Sequence, residues 1–95
     1  MAFSVLSTGR REVVGDLFER RFTIDEVDGT GSSVDLRPYG VRFIDSVSYV
    51  NTEATNAVQI RKNATTDTAT EASPGQIFIK NNSATDDIAV TVRWR

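Results

Sequence analysis

Few side chains in this 95-residue sequence could do chemistry, because it contains no His and no Cys. That removes a Ser-His-Asp arrangement, a His general base, a thiol nucleophile, disulfides and most zinc sites. Carboxylates remain. Asp25, Glu26 and Asp28 precede a Gly-rich stretch, and Asp86 and Asp87 are adjacent. Loops of this kind can gather oxygens around a calcium ion. Neither group has the spacing of a known calcium loop, and solvated turn residues are the simpler reading. A glycosidase needs two carboxylates across a cleft, and no pair stands out. Asp28-Gly29-Thr30-Gly31 has the glycines of a phosphate loop but no Lys and no strand–loop–helix setting, so a hairpin loop is expected there. The expectation is no catalytic residue, no cofactor, no metal and no enzymatic activity.

The cations point to contact instead. Nine Arg and two Lys stand against 13 acidic residues, for a net charge of −2. Arg makes planar, bidentate contacts and is enriched at protein interfaces, where Lys is depleted; codon composition of a source genome would give the same bias. Arg10-Arg11 and Arg20-Arg21 could form a basic patch, but Glu12, Asp16 and Glu19 are interleaved with them. That mixture suits a mixed-charge interaction surface better than a nucleic-acid track. Strand alternation would also put Arg20 and Arg21 on opposite faces. Neither a nucleic-acid partner nor a membrane partner is expected. Among the aromatics, Tyr39, Tyr49 and Trp94 could stack on sugars or anchor an interface, although Trp94 falls on the apolar face of its strand and reads as core. Phe3, Val5 and Leu6 stand on an otherwise small-residue end. They predict either an edge strand or an N-terminal arm, residues 1–9, that inserts into a neighbour.

The elements that must position these residues are strands. Hydrophobic residues at 39% and charged residues at 25% match soluble globular domains, and the length suits one domain spanning 1–95. The clearest period of two is Ile88–Arg95, where Ile88, Val90, Val92 and Trp94 share one face. Gln76–Lys80 reads as a strand entered through a Pro74-Gly75 turn, and its connection through Asn81–Asp87 predicts an antiparallel hairpin with the last strand. Val41–Val50 is a strand with Val41, Phe43, Val47 and Tyr49 on one face, interrupted by Asp45. It joins Ala57–Lys62 through Asn51–Asn56. Leu17–Asp25 is a strand with Phe18, Phe22 and Ile24 inward, and with Arg20 spoiling that face or marking a bulge. Glu12–Val14 extends it or stands alone, and Val34–Leu36 is short. Asn63–Ser73 has no large apolar residue and reads as an exposed loop. Asn63-Ala64-Thr65 and Asn81-Asn82-Ser83 match the glycosylation triplet, by chance in an Asn/Thr-rich chain with no secretory signal. Six to eight short strands predict an all-β fold, a small antiparallel β-sandwich or jelly-roll-like barrel. The alternative is an α+β fold with one short helix near Val34–Tyr39.

A resemblance adds to this. Thr8-Gly9-Arg10-Arg11-Glu12-Val13-Val14-Gly15-Asp16, then Leu36-Arg37-Pro38-Tyr39-Gly40-Val41 leading to Ile44-Asp45-Ser46-Val47, then a Thr/Asn/Asp-rich β end, is similar to small structural proteins encoded beside the major capsid protein of tailed bacteriophages, the decoration or cement proteins. The resemblance implies binding rather than catalysis. It implies a β-rich homo-oligomer, with a trimer favoured, made in the bacterial host cytoplasm. That oligomer would sit on the outer capsid surface of the virion and clamp major capsid protein subunits. Phe3, Val5, Leu6, Arg10, Arg11, Arg20 and Arg21 are the expected contact residues. A thin core, with only about 60–65% of the unfolded chain's surface buried at this size, gives such a chain reason to gain stability from neighbours. Two other functions stay open: another virion part of tail or fibre, and a small carbohydrate-binding module using Tyr39, Tyr49 or Trp94.

Overall fold

A computed structural model describes residues 3–51, 58–68, 70–82 and 85–95. Among them are eight strands, β1 (Val5–Thr8), β2 (Glu12–Val14), β3 (Leu17–Val27), β4 (Ser32–Asp35), β5 (Ile44–Asn51), β6 (Val58–Lys62), β7 (Gln76–Asn81) and β8 (Asp86–Trp94). They form two antiparallel sheets. The larger runs β1-β3-β8-β5, with β2 also paired to β3; the smaller runs β4-β7-β6. The fold is all-β and sandwich-like, as the alternation predicts. The helix considered near Val34–Tyr39 is a single 3-10 turn, Arg37–Tyr39, with Pro38 in its first turn and Gly40 ending it.

Alternation builds the core. Ile88, Val90, Val92 and Trp94 of β8 are buried, opposite Ile24, Phe22, Arg20 and Phe18 of β3. From the smaller sheet Val34, Ile77 and Ile79 face them, and Leu36, Val41 and Ile44 close one end. Trp94 is 2% exposed, so it is core, as its place in the alternation predicts.

The N-terminal residues form an edge strand and not a free arm. β1 and β2 pair in succession with the same side of β3, as one edge strand broken at Gly9-Arg10-Arg11. Phe3 and Val5 are half-buried against the core, and the Phe3 N–H donates to the Ser33 carbonyl of β4. Apolar side chains beside an open seam are more stable folded down than projecting into water. Met1 and Ala2 lie outside the described residues.

Three further expectations change. The strand at 76–81 is not the hairpin partner of the last strand: β7 lies in the smaller sheet between β4 and β6, whereas β8 lies in the larger between β3 and β5. Both are central strands buried along nearly their whole length, which need neighbours on each side. Crossing between sheets gives each of them two. The face assigned to 41–50 is also different. Ile44 is buried and Phe43 is 52% exposed. A register shift between Ile44 and Ser46 makes Asp45 a bulge residue, so Ile44 and Val47 both face inward across an odd interval. Finally, the loop after β6 is not wholly exposed. Asn63 and Ala64 are buried, while 65–68 and 70–72 are exposed. With its amide buried, Asn63 is no glycan acceptor. The connection at 52–57 lies outside the described residues, as do Ala69, Ser83 and Ala84.

Candidate functional site

The two acidic groups picked out in the sequence meet at one end of the larger sheet, where Val27 of β3 pairs with Asp86 of β8. Their carboxylates serve turns. Asp28 Oδ1 accepts from the N–H groups of Thr30 and Gly31 at 3.0 and 3.2 Å. Asp87 Oδ1 accepts from the Glu26 N–H at 3.0 Å, and Asp86 Oδ2 accepts from Asn81 Nδ2 at 2.7 Å. Among the described residues no group of three carboxylates is placed to hold a metal ion. The Gly-rich stretch is a packing device: a Cβ on Gly31 would stand 2.5 Å from Phe78 Cζ. Only glycine lets this loop lie on the outer ring of β7. Asp35 and Glu71 are held below the usual carboxylate range. Asp35 is lowered chiefly by the guanidinium fork of Arg37, and Glu71 chiefly by the Lys62 ammonium.

The expected contact residues are divided by the fold. Leu6 is 57% exposed, and Arg10, Arg11 and Arg21 are exposed. Arg20 and Arg21 do face opposite sides of β3: Arg20 is half-buried opposite Val92, and Arg21 is exposed opposite Thr91. The Arg20 guanidinium is engaged inside the chain. Its Nε donates to the Gly9 carbonyl at 2.8 Å, Nη1 to the Tyr39 carbonyl at 3.5 Å and Nη2 to Thr8 Oγ1 at 3.3 Å. It thus ties the Gly-Arg-Arg break to the Leu36–Val41 turn and orders the edge that the other residues present. Phe3 and Val5 support the same edge from beneath. Glu19 pairs with Arg93 across β3 and β8 at 2.8 Å.

Sequence reasoning missed part of this surface. Val13 of β2 is 69% exposed on the same broken edge as Leu6 of β1, opposite Phe18 where Leu6 lies by Thr23 and Ile24. Arg42 and Arg95 join Arg11, Gly40, Phe18 and Trp94 around a concavity of about 410 Å³. The available signal was a cation at each border of a strong apolar segment, Arg42 between Val41 and Phe43, and Arg95 after Trp94. Of the aromatics that could stack on sugars only Tyr49 is exposed, at 43%, so they form no exposed row. Trp94 is buried and stacks obliquely on Phe18, and Tyr39 packs edge-on against Phe22. Compared with known proteins, the chain matches no family model, no curated protein and no solved structure.

Proposed function

We propose that this chain is a structural binding protein that decorates the outer capsid surface of a tailed phage in many copies, as a homo-oligomer contacting the major capsid protein. The observation that carries this reading is the broken edge of the larger sheet. Leu6 and Val13 are exposed along it, one on each side of the break at Arg10 and Arg11, which make no ion pair among the described residues. An edge strand offers unpaired N–H and C=O groups for strand addition. Exposed apolar side chains flanked by such guanidinium groups add the chemistry of an interface. The residues that resemble decoration proteins, Thr8–Asp16 and Leu36–Val41, are those that Arg20 brackets at this edge. Modest contacts repeated over a shell sum to strong reinforcement.

The test is co-sedimentation with shells assembled from the major capsid protein of the phage that carries the chain, together with the shells' thermal disassembly. Wild type binds and raises the disassembly temperature, and Leu6→Asp/Val13→Asp weakens binding by at least about tenfold while remaining folded. Folded wild type that does not bind the shell, or that is located on the tail by electron microscopy, overturns the proposal.

A further inference from the structure

The two ends of the sandwich differ in charge: one gathers Asp25, Glu26, Asp28, Asp86 and Asp87, and the other mixes Arg11, Arg42 and Arg95 with Asp16 and Asp45. β3 and β8 lie side by side, with Phe18 against Trp94 at one end and Val27 against Asp86 at the other. At roughly 3.3 Å per residue those ends are about 30 Å apart. At the first end Arg11, Arg42 and Arg95 surround the concavity of about 410 Å³ floored by Phe18 and Trp94, and among the described residues no acidic side chain lines it. The Arg11 guanidinium carbon sits 4.8 Å from the Phe18 ring centroid, which fixes one of the three cations over the floor. None of the three makes an ion pair among the described residues. The three arginines that line this concavity are available to a counter-charge. A planar carboxylate entering from outside would satisfy them bidentately.

The opposite end presents such a group. A register shift between Ile24 and Val27 leaves Asp25 and Glu26 without a register partner on β8. Glu26 is exposed and has φ 48°, a left-handed conformation that a non-glycine residue adopts at a cost. Asp87 holds it there by accepting its N–H. Asp25, Asp28, Asp86 and Asp87 belong to the same end of the sheet, and Lys80 lies next to Asn81, one residue in from that end. Bulges characteristically re-aim a side chain.

We propose that Glu26 of one copy of this chain docks in the Arg11–Arg42–Arg95 pocket of the next. The occupant is a second copy because the complementary charge lies on the same molecule, at the far end. The contact is heterologous, so it closes into a ring or runs on as a filament. It rests on the homo-oligomer part of the function proposed above, and not on capsid binding.

The experiment measures the mass of the purified full chain by sedimentation equilibrium. Wild type associates at about 0.05 M salt and dissociates towards monomer at about 1 M, where the screening length falls to roughly 3 Å. Glu26→Gly, which removes the carboxylate and suits the φ, and Arg42→Glu, at an exposed position, each weaken association by at least about tenfold. Mixing these two variants leaves one intact pocket and one intact Glu26, so the mixture forms a 1:1 dimer and nothing larger. Circular dichroism confirms that both variants are folded. Wild type that stays monomeric at low salt, assembly indifferent to salt and to both variants, or a mixture that does not dimerise overturns the proposal. If wild type is monomeric yet Arg42→Glu abolishes shell binding, the pocket's carboxylate comes from the capsid. The head-to-tail contact is then wrong and the decoration reading survives.

Discussion

Single side chains do the work of closing this small sandwich, and Asn63 does the most. Its Oδ1 accepts from the Ile44 N–H at 2.7 Å, and its Nδ2 donates to the Ile44 carbonyl at 2.8 Å. That is the pattern of a neighbouring strand's backbone supplied by a side-chain amide, and it links the end of β6 to the start of β5 across the gap between the sheets. Its φ of 54° is a conformation that Asn tolerates better than most residues. Asn63→Ala leaves both Ile44 groups buried without a partner, so it should cost about 2–4 kcal/mol in urea denaturation. Asn63→Asp should cost a comparable amount, because it keeps the acceptor but sets an oxygen against the Ile44 carbonyl. Asn63→Gly relaxes the backbone but does not restore the lost bonds. If it were as stable as wild type, the bracket would carry no weight. Nothing around Asn63 in the sequence signals this role, since its partner lies 19 residues away and is a backbone group.

Elements were legible where their pattern is local. The alternation of Ile88 to Trp94 and the Pro74-Gly75 turn into β7, with Gly75 at φ 79°, are properties of adjacent residues. The bulge at Asp45 was visible only as a charge interrupting an apolar face, and its consequence, an exposed Phe43 and a buried Ile44, depends on pairing with Trp94. The assignment of β7 and β8 to different sheets depends on long-range partners that no turn residue encodes. The site divides the same way: exposure of Leu6, Arg10, Arg11 and Arg21 followed from polarity and position, whereas the convergence of Arg11, Arg42 and Arg95 is set by the fold. The short ties between elements give a pH prediction. Asp35 binds the 3-10 turn through the N–H and the guanidinium of Arg37, at 3.0, 2.9 and 2.9 Å, and Glu71 binds Lys62 at 2.7 Å. Both carboxyls lie below their unfolded values. Their contribution is therefore complete above an unfolded pKa of about 4 and is lost as pH falls through the folded values. Denaturation midpoints should be flat from about pH 7 to 5 and fall below about pH 4. Asp35→Asn should be less stable than wild type at neutral pH and lose less on acidification. Equal acid slopes for the two proteins would remove Asp35 from this account.

At the scale of the whole molecule, a net charge of −2 is unevenly spread along a body 36 Å long. At one end Arg11, Arg42 and Arg95 line a concavity, with Asp16 and Asp45 in a turn and a bulge of the same end, whereas the other end gathers Asp25, Glu26, Asp28, Asp86 and Asp87. Attraction between ends about 30 Å apart is largely screened beyond a Debye length of about 10 Å at 0.1 M salt. Repulsion within an end acts at shorter range and is screened less. Among the described residues three exposed ion pairs oppose it, Arg37–Asp35, Lys62–Glu71 and Arg93–Glu19, and pairs of that kind contribute little. Repulsion should therefore dominate in the isolated chain. Salt should then act with opposite sign on folding and on association. In Glu26→Gly, kept monomeric, raising salt from about 0.01 to 0.2 M should raise the melting temperature by a few degrees, while in wild type the same change weakens assembly. A monomer that melts lower as salt rises would mean that the ion pairs outweigh the crowded ends.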